Sequence, residues 1–136
     1  MVDGGEQSSP SFIKGKVMTI QKLIDKVQEE KPNTFQTDKL IEFINEIEAD
    51  VAEQINLDIP SYTEEDMNED LMAPSPYDRL YVSYLKAMID YANEEYASYQ
   101  LNQAQHNQDF TDFVNWIVRT GQSDKSLIPS RFTNVF

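Results

Sequence analysis

Residues 96–117, YASYQLNQAQHNQDFTDFVNWI, decide how the chain is read. Tyr96, Tyr99, Gln103, His106, Phe110, Phe113 and Ile117 recur at alternating steps of three and four, the spacing of a heptad seam along one side of a helix. Gly121 follows as a C-terminal stop, and Arg119 places a positive charge where the helix end is negative. One long helix is therefore expected to close the folded part of the chain.

Upstream, Leu80, Tyr81, Tyr84, Leu85, Met88 and Tyr91 give a second broad apolar face tipped with phenols. Its expected start is Ser75-Pro76-Tyr77-Asp78, with Ser75 as cap, Pro76 in the first helical position and Asp78 near the positive helix end. A break near Asn93 would let the two aromatic faces pack antiparallel. Further back, Leu40, Ile44, Ile47, Val51 and Ile55 form the stripe of a helix running from Thr34 or Thr37 to about Asn56. Glu42, Glu46, Asp50 and Glu53 form its solvated face. A first helix opens at Thr19, carries Ile20, Leu23, Ile24 and Val27, and ends before Pro32.

The expected fold is all-α: a small bundle of about four helices over residues 18–121, with extended arms at 1–17 and 122–136. The first arm is rich in Gly, Ser and Pro. The second carries Leu127, Ile128, Phe132, Val135 and Phe136, too much apolar surface to leave in water, and is expected to dock on the chain's own core or on a partner.

Charge is the other strong signal. The 136 residues hold 11 Lys and Arg against 24 Asp and Glu, for a formal net charge of -13. Between Lys39 and Arg79 lie twelve acids and no base. Residues 57–75, with Glu64, Glu65, Asp66, Glu69 and Asp70, are expected to form a solvated acidic loop. Such a balance opposes wrapping a phosphate backbone. The absence of cysteine removes disulfides, thiolate metal sites and thiol nucleophiles, and suits a reducing cytoplasm. The four glycines fall outside the periodic segments, so no Gly-rich phosphate loop is present. The N-terminus lacks the features of a signal peptide, and no stretch is long and apolar enough for a transmembrane helix, so a soluble, unsecreted chain without a membrane partner is expected.

Chemical sites are weakly indicated. His106 is the single histidine and sits within the seam, which suits packing better than catalysis or metal ligation. The acids from Asp58 to Asp70 lack EF-hand spacing and its turn glycine. Carboxylate pairs are unavoidable in so acidic a chain and do not define a glycosidase. The tyrosines lack the interleaved Lys or Arg of a base-stacking groove. The expectation is a non-enzyme with no catalytic residue, metal or cofactor.

The stretches Phe43-Ile44-Asn45-Glu46-Ile47-Glu48, Ala73-Pro74-Ser75-Pro76-Tyr77-Asp78, Tyr81-Val82-Ser83-Tyr84-Leu85 and Ile89-Asp90-Tyr91 resemble head-tail connector, or adaptor, proteins of tailed bacteriophages. The resemblance spans residues 17–120 and departs at Asn93-Glu94, where a glycine is expected. It implies a structural virion protein at the neck, made in the host cytoplasm and assembled as a homo-oligomeric ring, a dodecamer, between portal protein and a tail or stopper protein. In that setting Leu127, Ile128, Phe132, Val135 and Phe136 would contact a neighbour or the portal. Glu64, Glu65, Asp66, Glu69 and Asp70 would line or rim a channel through which DNA passes without sticking. The competing expectation is another assembly factor, a scaffold or tail-completion protein, or an acidic inhibitor that mimics DNA.

Overall fold

The computed structural model describes residues 17–121. The elements run in the order β1 (Val17–Thr19), α1 (Ile20–Glu30), α2 (Thr37–Ile55), a 3-10 turn (Glu64–Asp66), β2 (Asp70–Pro74), α3 (Arg79–Ala92) and α4 (Tyr96–Thr120). Four helices form the expected bundle. A two-stranded antiparallel sheet is added, pairing Val17 with Pro74 and Thr19 with Asp70 across a local irregularity.

Local sequence explains most boundaries. The Thr19 side chain accepts from the Lys22 N–H and caps α1. Helix α1 stops at Glu30, two residues before Pro32. In α2, Thr37 is the first helical residue rather than the cap; Gln36 occupies the cap position without a side-chain bond. The helix ends at Asn56, which is left-handed (φ 59°), while Leu57 N–H donates to Ala52 O at 3.0 Å. Gly121 closes α4 in the same conformation, φ 68°, with its N–H on Ile117 O.

Three expectations are corrected. Helix α3 does not open at Ser75. Residues 75–78 form a turn containing a cis Ser75–Pro76 bond, and the Ser75 hydroxyl bonds the Asp78 carboxylate at 2.8 Å instead of a helix N–H. The reason is tertiary: β2 runs to Pro74, while the Tyr77 ring is held against Trp116 of α4 at 5.2 Å, so the chain must turn before it can coil. Residues 57–75 are likewise not a plain solvated loop. They contain the 3-10 turn and β2, whose Leu71 and Ala73 are buried in the core. Val17, assigned to the N-terminal arm, is the first residue of β1.

The core is continuous from Ile20, Leu23 and Val27 through Leu40, Ile44, Ile47, Val51 and Ile55 to Leu80, Leu85 and Ile89, closed by Phe113 and Ile117. Helix α4, 25 residues and so about 37 Å long, divides along its length. Its C-terminal half buries Phe113, Val114 and Ile117, whereas Tyr96 at its start is exposed and Tyr99 and Gln103 are half-buried. The heptad seam is real, but only its last turns reach the core.

Candidate interaction surfaces

The five acids expected at a rim are presented by a buried device that the sequence does not announce. Glu48 lies in α2 with no exposed surface and, among the described residues, no ion-pair partner. Its Oε1 accepts the Tyr81 hydroxyl, and its Oε2 accepts the Tyr62 hydroxyl and the Met72 N–H, both at 2.9 Å. The Tyr81 oxygen in turn accepts the Ala73 N–H at 2.8 Å. Asn45 grips the Tyr62 backbone from both sides, accepting its N–H at 2.8 Å and donating to its carbonyl at 3.1 Å. Residues 62–73 are thus pinned at both ends to α2 and α3.

Burial raises the Glu48 pKa, and the three donors only partly offset that. Burial and the Glu48 charge together push Tyr62 and Tyr81 above the ordinary phenol value, which keeps both as donors. A signal for Glu48 did exist, since it sits one turn from Ile44 and one from Ala52 on the apolar stripe of α2. An acid at a core position asks for donors, and phenols and strand amides provide them.

On this pinned segment Glu64, Glu65 and Glu69 are exposed, while Asp66 and Asp70 are half-buried. Asp66 is occupied: its carboxylate takes the Thr63 N–H at 2.7 Å while Thr63 caps the 3-10 turn from the other side. The five acids share one short stretch, but four rather than five are available to face outward. The five apolar residues proposed for docking, Leu127, Ile128, Phe132, Val135 and Phe136, lie outside the described residues.

A second buried carboxylate, Asp90, locks the α3–α4 hairpin. Its Oδ1 lies 2.6 Å from the Lys31 ammonium, and its Oδ2 accepts Ser98 and Asn102, each at 2.7 Å. Burial opposes its ionisation, but Lys31, Ser98 and Asn102 outweigh it and hold the Asp90 pKa below the usual value. Glu94, at φ 61°, makes the bend where a glycine was expected. Around this tip Tyr91 contacts Tyr96 and Tyr99 at ring separations of 5.9 and 5.2 Å, with Tyr91 and Tyr96 largely in solvent. Further large apolar side chains are open elsewhere: Leu101 is 75% exposed and Ile59 63%.

One concave feature is a groove of about 440 Å³ between α2, α3 and α4, lined among others by Asp50, Tyr84, Gln103, His106 and Phe110. His106 is buried, and its Nδ1 lies 3.0 Å from Leu80 O. Burial lowers the His106 pKa, so the ring is neutral at pH 7. The lone histidine therefore packs and hydrogen-bonds, with one edge on the groove. Among the described residues no group of three or more His, Asp or Glu is placed to hold a metal ion, and no helix is long and apolar enough to cross a membrane. No protein-family model matches the chain, and neither a curated protein nor a solved structure does.

Proposed function

We propose that the chain is a structural assembly subunit, specifically a head-tail connector of a tailed bacteriophage, acting in the virion neck as a ring between portal and tail or stopper protein. The observation that carries this reading is large apolar surface left open on the α3–α4 hairpin: Leu101 on α4, with Tyr91 and Tyr96 at the tip. Such groups, held by a locked hairpin rather than a loose loop, suit burial against neighbouring copies. Cyclic assembly would repeat each contact around the ring. The pinned acidic turn supports a charged rim that repels rather than holds DNA, since Glu64, Glu65 and Glu69 form no ion pair among the described residues.

Mass determination and negative-stain imaging of the purified chain, alone and mixed with portal complexes, test the reading. Twelve-fold rings or density capping the portal are expected, and a chain ending at Gly121 should keep its helical signal while losing assembly. A persistent monomer that ignores portals would overturn the connector reading. If that monomer competed with DNA for a basic protein in a salt-dependent way, the acidic-mimic reading would replace it.

A further inference from the structure

The groove beside His106 is built for a donor that the described residues do not supply. A carbonyl can only accept, so the 3.0 Å contact to Leu80 O places the ring proton on Nδ1. In the neutral imidazole that leaves Nε2 as an acceptor; it has no partner among the described residues and, unlike a buried orphan, is open to solvent. Across the groove stands Asp50. Its pKa is raised, first by desolvation at the groove wall and then by the charge of Glu53, with Glu46 adding to it; only a positive charge on His106 would pull the other way. Glu46 accepts the Tyr84 hydroxyl at 2.9 Å. The rings of Tyr84 and Phe110 flank the imidazole at 5.1 and 5.9 Å.

Among the described residues, three cations of α3 and the end of α1 are engaged with other acids. Arg79 bonds Asp109 and Asp112, Lys31 bonds Asp90 and Glu95, and Lys86 bonds Glu30. No ion pair involves Asp50 among the described residues. An imidazole acceptor, a carboxylate in an electronegative setting and two aromatic faces thus surround an open space.

We propose that this groove receives an arginine side chain presented by a partner protein, its guanidinium donating to His106 Nε2 and to the Asp50 carboxylate while lying against the Tyr84 or Phe110 ring. The chemistry selects arginine. A planar fork can donate in two directions at once and stack on a ring, whereas an ammonium is a hydrated point charge with neither geometry. Phosphate and other anions are repelled by Asp50 and Glu46. A metal ion would find a single imidazole, and among the described residues no cluster of ligands completes its shell. The site is independent of the connector reading and stands or falls by itself.

The test is NMR titration of the full chain with the peptide acetyl-Gly-Arg-Gly-amide, alongside its citrulline and lysine counterparts. Citrulline keeps the shape of arginine without its charge. Saturable shifts are expected at the His106 ring and at Asn107 and Thr111, with citrulline at least tenfold weaker and lysine weaker than arginine. Asp50 is exposed, so Asp50→Asn should leave the spectrum of the free protein otherwise unchanged and weaken the arginine peptide about tenfold, equivalent to about 1.4 kcal/mol. The proposal is overturned by absent shifts, by citrulline or lysine binding as well as arginine, by an unaltered affinity in Asp50→Asn, or by unsaturable shifts spread over Glu64–Asp70. None of these results bears on ring formation, which imaging reads separately.

Discussion

Replacing Tyr81 by Phe removes one oxygen from the centre of the molecule. That oxygen donates to Glu48 and accepts from Ala73, and all three residues have no exposed surface. The ring and its packing survive the change, so the loss is polar. Ala73 N–H is left without an acceptor, and the Glu48 carboxylate loses one of three donors. A buried orphan costs about 1–3 kcal/mol, more when the partner is charged, which puts the two together at about 3 kcal/mol. For a domain of this size that is a fall in Tm of about 10 °C. Tyr62→Phe is the internal control: it removes a single donor from the same carboxylate at a half-buried position and should cost about 1 kcal/mol.

Urea unfolding at pH 7 measures both, and the slope with denaturant should match the unsubstituted protein. A second signature comes from pH. Taking a donor from Glu48 raises its folded pKa further, so the deficit of Tyr81→Phe should be smaller at pH 5 than at pH 8. A Tyr81→Phe protein within 1 kcal/mol of the original, or one no weaker than Tyr62→Phe, would refute the view that this network pins the acidic segment.

Two further outcomes follow from the buried carboxylates, with opposite signs. Glu48 has a raised folded pKa, so its protonated form favours the fold: the contribution is fully present below the unfolded carboxylate value and is lost as pH rises through the folded pKa. The stability advantage of the unsubstituted protein over Glu48→Gln should therefore shrink from pH 4 to pH 8 in urea titrations, and an advantage that grows would contradict the assignment. Asp90 has a lowered folded pKa, so its contribution is present above the unfolded value and lost as pH falls through the folded pKa. Asp90→Ala takes the acceptor from Ser98 and Asn102, leaves Lys31 only its longer contact with Glu95, and should cost about 3 kcal/mol at neutral pH, with the deficit narrowing in thermal melts toward pH 3; a pH-independent deficit would sink the ion-pair account.

Much of the architecture was legible because it rests on periodicity and punctuation, which are local. The stripe Leu40, Ile44, Ile47, Val51 and Ile55 is buried as its spacing requires, Thr19 caps α1, Gly121 closes α4, and the hairpin breaks at Asn93 and Glu94. What periodicity could not report is which partner a side chain meets. Glu48 and Asp90 read as two more acids in an acidic chain, yet each is buried because donors 8 to 59 positions away converge on it.

The same distance explains the misread segments. The stretch from Asp70 to Pro74 carries too little apolar alternation to declare a strand, and becomes one because β1 supplies the ladder and Glu48 takes the Met72 N–H. Ser75 has the chemistry of a helix cap, but the Tyr77 ring against Trp116 sets where α3 can begin. Nor does any spacing in the chain bring Asp50 of α2 to face His106 of α4, since the packing of one helix on another decides which side chains share a groove. The helices, their buried faces and the charge they carry follow from local pattern along the chain, whereas the polar groups that lie inside are chosen by packing, because their stability depends on partners that chain order does not reveal.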